Sequence, residues 1–288
     1  MPNKKSIHHE FEILRRLLQG RIPGVGENPE ELDRALSHFL RMLEKETRTT
    51  LPPKKSFWQH HWFACANIAV SFEHFADEKR INNSMINIRT LETLRMLIEY
   101  RILERTCSYY SICRQLRFMM ESMLQAYYID TEYPDLDLMA KISVLKQMTK
   151  DRKAIGHFLL DMIDFKSRIR FEVCGRKLDV RTRIEGLYRE LSDTVHPAFK
   201  DFVPFAKRDV DPLEWISRYL LVPNPRLSQY CVEKLNQVMD IIYLLVFDNY
   251  RGYAFIAFKQ IRETLSTTNC HLTLSYLDFL EKEKSKKD

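Results

Sequence analysis

The sequence contains little of what β-rich folds require. Its 288 residues include only seven glycines and 11 prolines, whereas sandwiches and barrels need many turn residues. Apolar residues make up 45% of the chain and charged residues 29%, proportions that are ordinary for a globular protein. The scarcity of turn residues favours long helices, and it predicts an all-α helical bundle.

Cysteine patterns that bind metal are also missing. The six cysteines stand singly and form no C-x-x-C pair, which excludes zinc-ribbon and thioredoxin-like motifs. Scattered cysteines among apolar neighbours are typical of reduced thiols in a cytoplasmic protein. The adjacent His60 and His61 are not part of an H-E-x-x-H pattern. We therefore predict no metal site and no cofactor.

Long hydrophobic runs are absent as well. The longest, Ile241–Phe247, is interrupted at Asp248 and is too short to cross a bilayer. The amino terminus lacks the apolar core of a signal peptide. We therefore expect a cytoplasmic protein with no membrane partner. The net charge of +6 permits contact with RNA or a nucleotide without requiring it.

Helical periodicity divides the chain into two parts. We predict an N-terminal helical arm at residues 1–53, which ends at Pro52-Pro53, and a helical bundle domain at residues 54–288. Residues 170–180 suggest one small β-hairpin within this domain.

The aromatic-rich stretch Phe57–Phe75 is open to two interpretations. Its rings either stack on nucleic-acid bases or are buried against the bundle, and the lack of interleaved basic residues favours burial.

A long helical region is predicted over roughly Met85–Ile129. Its apolar stripe consists of Leu91, Leu94, Leu97, Ile98 and Ile102.

The most informative residues are Arg189 and His196, which lie seven positions apart. Seven steps of an α-helix return the two side chains to within about 20° of one face, about 10.5 Å apart along the axis. Pro197 predicts that the helix ends near His196. The negative end of the helix dipole there favours a charged imidazole, which can exchange a proton near neutral pH.

Further polar residues surround this pair. Ser192 and Asp193 lie between Arg189 and His196, and Tyr188 shares a neighbouring apolar face with Leu191 and Val195. We expect the helix to dock through that apolar face and to present the polar groups beside it.

A second polar pair, Arg117 and Glu121, lies in the long helical region. The two residues are four positions apart and share one helical face, among leucines and methionines typical of a core. We hypothesise that this pair meets the Arg189–His196 face.

The spacing Arg189-x6-His196 resembles the R-x(4–6)-H signature of the HEPN superfamily. Together with Arg117-x3-Glu121, the segment Tyr-x2-Leu-Ser-x3-His-Pro is similar to a family of uncharacterised prokaryotic HEPN-like proteins. The likeness extends over roughly residues 85–250 and leaves the N-terminal arm uncovered. It implies a core of four to five helices that often forms a homodimer.

The resemblance also implies a function, because active superfamily members are metal-independent ribonucleases. His196 would act as acid or base on the ribose 2′-hydroxyl or the leaving oxygen, and Arg189 would hold the scissile phosphate. These two catalytic residues of both subunits would meet at the dimer seam. The chain would be an RNA-cleaving or RNA-binding effector of the toxin–antitoxin or phage-defence type. Its substrate-binding residues would be Arg117, Glu121, Tyr188, Ser192 and Asp193.

Two other interpretations remain open. In the first, the segment has only a structural role: Arg189 pairs with Glu185 or Asp193, Ser192 forms a hydrogen bond within its own helix, and His196 caps the last carbonyls of that helix. Alternatively, the chain is a non-catalytic helical interaction or ligand-binding module, which contacts a protein partner through its N-terminal arm.

Overall fold

The computed structural model describes residues 57–75, 81–105, 107–151, 160–163, 169, 172–173, 176–177, 179–195, 225–250 and 254–285, and the statements below concern these residues. They form an all-α helical bundle, as the sequence predicts. The N-terminal arm at residues 1–53 lies outside them. The helices are α1 (Phe57–Phe75), α2 (Met85–Arg105), α3 (Tyr109–Glu132), α4 (Leu138–Lys150), α5 (Val180–Val195), α6 (Pro225–Asn249), α7 (Ala254–Thr267) and α8 (His271–Lys284).

One short antiparallel ladder interrupts the helices. Strand β1 (Glu172–Val173) pairs with β2 (Arg176–Lys177), and Glu172 lies opposite Lys177 in this register. The ladder falls where the sequence suggests a hairpin, and it directly precedes α5. With two residues in each strand it leaves the all-α class of the fold unchanged.

The core of the bundle is built around α3 and α6. Helix α3 packs against α2, α4, α5 and α6, and α6 also contacts α1, α7 and α8. Every residue of α6 from Val238 to Asp248 is buried, as expected for a helix surrounded by others. None of the described helices is long and apolar enough to cross a bilayer.

The long region predicted over roughly Met85–Ile129 is helical, but it is not continuous, because the structure divides it into α2 and α3. Cys107 adopts a positive φ of 54°, and the backbone N–H of Ser108 donates to the carbonyl of Leu103 at 2.9 Å. This geometry is a Schellman ending, which usually places glycine at the left-handed position. Neither glycine nor proline is present here, so the sequence pattern contains no stop signal.

Two buried aspartates fix the ends of helices. Asp130 of α3 accepts hydrogen bonds from the backbone N–H groups of Met85 and Ile86 at the start of α2. Asp240 of α6 does the same for Leu272 and Thr273 at the start of α8. Both satisfy donors that a helix leaves unpaired at its N-terminus. The two central helices thereby hold their neighbours in position.

The aromatic helix α1 is packed into the bundle. Ala64, Cys65 and Ile68 are buried, and Trp58 and Trp62 pack against the core. These contacts agree with the burial that the missing basic residues favour.

Candidate functional site

The site lies where α5 packs against α3. Ile184, Leu187 and Leu191 are buried on α5, and their 3–4 spacing makes one apolar helix face. Tyr188 lies at the edge of this face and is half-buried. The expected docking through Leu191 is therefore observed, with Ile184 and Leu187 extending the contact. The side chain of Val195 is outside the described residues.

Arg117 and Tyr188 join the two helices. The Nη2 atom of Arg117 donates a hydrogen bond of 2.6 Å to the phenolic oxygen of Tyr188, 71 positions away in sequence. The guanidinium carbon also lies 4.7 Å from the centre of the tyrosine ring, within the range of a cation–π interaction. The polar pair of α3 and the polar segment of α5 thus meet in space.

Glu121 belongs to the same group. The pKa of the Tyr188 hydroxyl is raised by burial and by the negative charge of Glu121, while Arg117 opposes the shift. The hydroxyl therefore keeps its proton near neutral pH. Because it already accepts from Arg117, that proton is the group it can offer to an acceptor.

Ser192 is engaged inside its own helix. Its hydroxyl donates to the backbone carbonyl of Tyr188 at 2.6 Å, a common arrangement for serine one turn further along a helix. A hydroxyl has a single proton, so Ser192 is not a donor to substrate in this arrangement. It keeps its lone pairs and can still accept.

Arg189 is exposed on the outer side of α5. Its guanidinium forms no hydrogen bond or ion pair with another described residue. Glu185, one of the partners considered above, instead accepts from the Nε atom of Arg181 at 2.7 Å. Asp193, the other, is exposed. Arg189 therefore presents its charge to solvent.

The carboxylate next to Arg189 has a partner that sequence reasoning missed. Lys234 of α6, whose side chain is mostly buried, forms an ion pair with Glu190. Lys234 also donates to the side-chain oxygen of Gln237 at 3.1 Å and lies over the ring of Tyr230. The sequence offers no local signal for this pair, because 44 positions separate the two residues.

A second feature lies on the outer side of α3. Arg114 is exposed, and the aromatic ring of Phe118 is 50% exposed. Together with Glu121 they follow a spacing of four and three residues, so they lie along one helix face. This face adjoins Arg117. In the sequence, this face is recognisable by a phenylalanine that stands among polar residues at helical spacing.

His196 and Pro197 lie outside the described residues. Of the predicted site residues, Arg117, Glu121 and Tyr188 come together. Arg189 and Asp193 are exposed on α5, and Ser192 bonds to its own backbone.

His61, by contrast, is a core residue. Its Nε2 atom lies 2.9 Å from the side-chain oxygen of Asn236, and its Nδ1 atom lies 3.1 Å from the hydroxyl of Tyr243. Burial lowers the pKa of His61 to about 4, so the ring is neutral. Within the described part of the chain, no cluster of three or more histidine, cysteine or acidic residues is placed to hold a metal ion.

Comparison with family models, with curated proteins and with solved structures gives no match for this chain. The HEPN resemblance therefore rests on the residues of the two motifs.

Proposed function

We propose that this chain is a HEPN-like protein that binds RNA and cleaves it without a metal ion, as an effector of the toxin or phage-defence type. The proposal depends mainly on one observation. The hydrogen bond of 2.6 Å between Arg117 and Tyr188 links one residue from each of the two sequence motifs. Two motifs that act together must meet in the fold, and these do.

The charges around Arg189 support a phosphate site. Arg189 is exposed and has no described partner, so its guanidinium is available to a phosphate. Glu190 would repel a phosphate if its charge were uncompensated, but Lys234 neutralises it in the ion pair. Arg114 and Arg117 add positive charge on the neighbouring helix.

The proposed reaction uses the RNA's own 2′-oxygen as nucleophile. His196 removes the proton of the 2′-hydroxyl or donates one to the leaving 5′-oxygen. The 2′-oxygen bonds to phosphorus as the bond to the 5′-oxygen breaks, which leaves a 2′,3′-cyclic phosphate and a 5′-hydroxyl. Arg189 stabilises the charge that builds on the phosphate oxygens, and the Tyr188 hydroxyl donates to one of them.

The test is cleavage of labelled single-stranded RNA by the purified full chain in the presence of EDTA. We expect cyclic-phosphate products, and we expect cleavage to disappear in His196→Ala. The matched control His271→Ala changes an exposed histidine on α8 and should cleave normally. Unchanged cleavage by His196→Ala, or cleavage that requires a divalent ion, would falsify this function.

A non-catalytic module is the second candidate, and Ser192 favours it. This residue gives its only proton to the backbone, as a purely structural role requires. This candidate predicts that the chain has no nuclease activity and that removal of residues 1–53 abolishes binding to a protein partner. Cleavage by the wild-type chain would exclude it.

A further inference from the structure

The outward face of α2 is apolar. Among the described residues nine large apolar side chains are exposed, and four of them belong to this helix. They are Ile88 (38% exposed), Leu91 (46%), Ile98 (50%) and Ile102 (58%). Single exposed apolar residues are ordinary, whereas contiguous ones indicate an interaction surface. We call these four residues and Arg95 the α2 stripe.

The α2 stripe has the spacing of a helix–helix contact. Residues 88, 91, 95, 98 and 102 are separated by three, four, three and four positions, which is the a/d pattern of a heptad repeat. The opposite side of α2 is already buried in the bundle at Thr93, Met96 and Leu97. The helix therefore has one apolar face for its own fold and a second that faces solvent.

The middle of the α2 stripe is charged but balanced. The side chain of Arg95 is 65% exposed and lies 3.6 Å from Glu92 and 3.4 Å from Glu99. Arg89 pairs with the same Glu92. Two cations and two carboxylates leave this patch neutral, so a second copy meets it without net repulsion. A single polar residue in such a seam is also a known way of fixing its register.

We propose that the α2 stripe is a homodimer interface, in which α2 of two copies packs antiparallel across a two-fold axis near Arg95. Apolar residues stand seven and four positions before Arg95 and three and seven positions after it. A two-fold rotation about this point exchanges the two ends and brings apolar residues opposite each other, as a self-complementary patch requires. The two Arg95 side chains then lie next to each other at the axis, and each is already paired with Glu92 and Glu99 of its own helix.

The size of the surface predicts a reversible dimer. The α2 stripe extends over 14 residue steps, or about 21 Å of helix. Stable interfaces bury roughly 800 Å² on each partner, and a single helix face of this length is at the small end of that class. The fraction of dimer should therefore depend on protein concentration. The α2 stripe and Arg189 lie on different helices, so this interface differs from the seam at Arg189 and His196 that the HEPN resemblance implies.

Sedimentation equilibrium of the full chain over about 1 to 100 µM tests this inference. We expect a monomer–dimer equilibrium for the wild type. Leu91→Glu and Ile98→Glu should raise the dissociation constant at least about tenfold. Met139→Glu, which changes a 69% exposed residue on α4, is the matched control and should dimerise as the wild type does. Circular dichroism should be unchanged in all variants, and Ile98→Ser provides a milder change if a charged one unfolds the chain.

Two results would overturn the inference. The first is a wild type that stays monomeric throughout this range. If its thermal midpoint also falls in Leu91→Glu but not in Met139→Glu, another segment of the same chain covers the α2 stripe. The second is a dimer that persists in Leu91→Glu and dissociates in Arg189→Glu, which would place the interface on α5. RNA cleavage is a separate measurement, so failure of either proposal can be recognised alone.

Discussion

Asp130 and Lys141 form a buried ion pair, with 2.9 Å between Oδ1 of the carboxylate and Nζ of the lysine and only 4% of each side chain exposed. The pair does more than neutralise two charges. Asp130 also accepts from the backbone of Met85 and Ile86 and from the hydroxyl of Ser84. Lys141 also donates to the carbonyl of Asn83 at 2.8 Å. The start of α2 is thus fixed to α3 and α4 by one network.

We predict unequal effects when the two partners are removed. Asp130→Ala leaves a buried lysine without its carboxylate and several helix donors without an acceptor, so it should lower the free energy of unfolding by about 3 to 5 kcal/mol. Lys141→Met should lower it by only about 1 to 2 kcal/mol, because Asp130 keeps three donors. Urea denaturation measures both values. Arg262→Met breaks an exposed pair with Asp278 and should have little effect. Equal losses for the two buried residues would contradict the assignment of Asp130 as the centre of the network.

The contact between Arg117 and Tyr188 predicts energetic coupling. Tyr188→Phe removes the acceptor and Arg117→Ala removes the donor of the 2.6 Å hydrogen bond. In a double-mutant cycle their effects on unfolding should be non-additive by about 1 kcal/mol. The same cycle on RNA binding should show coupling of the same sign if both side chains contact the substrate.

A control for this cycle is available within the chain. Tyr230→Phe changes a half-buried tyrosine on α6, and its combination with Arg117→Ala should be additive within about 0.5 kcal/mol. Additivity of Arg117→Ala with Tyr188→Phe would show that the contact does not hold in solution.

Stability should fall on acidification because of His61. Its pKa is about 4 in the folded chain, against an ordinary value of 6.5, since burial disfavours the charged ring. Between these two values the unfolded chain binds more protons. The contribution of a neutral His61 is therefore fully present above pH 6.5 and is lost as the pH falls to about 4. The loss should be about 3 kcal/mol across this window.

Urea denaturation at several pH values in this window, for the wild type and His61→Gln, measures this term. The variant should be less stable near neutral pH but should lose less stability on acidification, since glutamine does not titrate. Asn67→Gln, which changes an exposed residue of the same helix that does not titrate, is the control and should keep the wild-type slope. An identical acid slope in His61→Gln and the wild type would rule out His61 as its source.

Periodicity identified most helices but not where their faces point. The pattern from Leu91 to Ile102 predicts a shared apolar face, yet Leu97 is buried while Leu91 and Ile98 are exposed. A helical repeat shows which residues share one face of a helix, but only tertiary packing determines whether that face is buried in the core or exposed to solvent. The sequence does not predict the break at Cys107 for a different reason, because an ordinary side chain occupies a position that usually requires glycine.

The candidate site shows the same division between local and tertiary information. The two motifs predict that Arg117 and Tyr188 belong to one site, and the two side chains are hydrogen-bonded in the structure. The ion pair of Glu190 with Lys234 was not foreseen, because charges 44 positions apart meet only through the packing of α5 on α6. Sequence patterns therefore selected the polar residues but could not assign their partners.

The end of α7 tests how much backbone strain an ordinary side chain stores. Asn269 has a φ of 58°, and the next N–H, of Cys270, donates to the carbonyl of Leu265 at 2.8 Å. Asparagine tolerates this conformation better than other side chains, and glycine tolerates it best. Asn269→Ala should lower the free energy of unfolding by about 1 kcal/mol, whereas Asn269→Gly should be neutral or slightly stabilising.

Asn67→Ala, at an exposed position within α1, should instead stabilise the chain slightly because alanine is the better helix former. Thermal and urea unfolding of the three variants measures these differences. Opposite signs for the same substitution at positions 269 and 67 would show that the local backbone sets the effect, and a loss at both positions would contradict it.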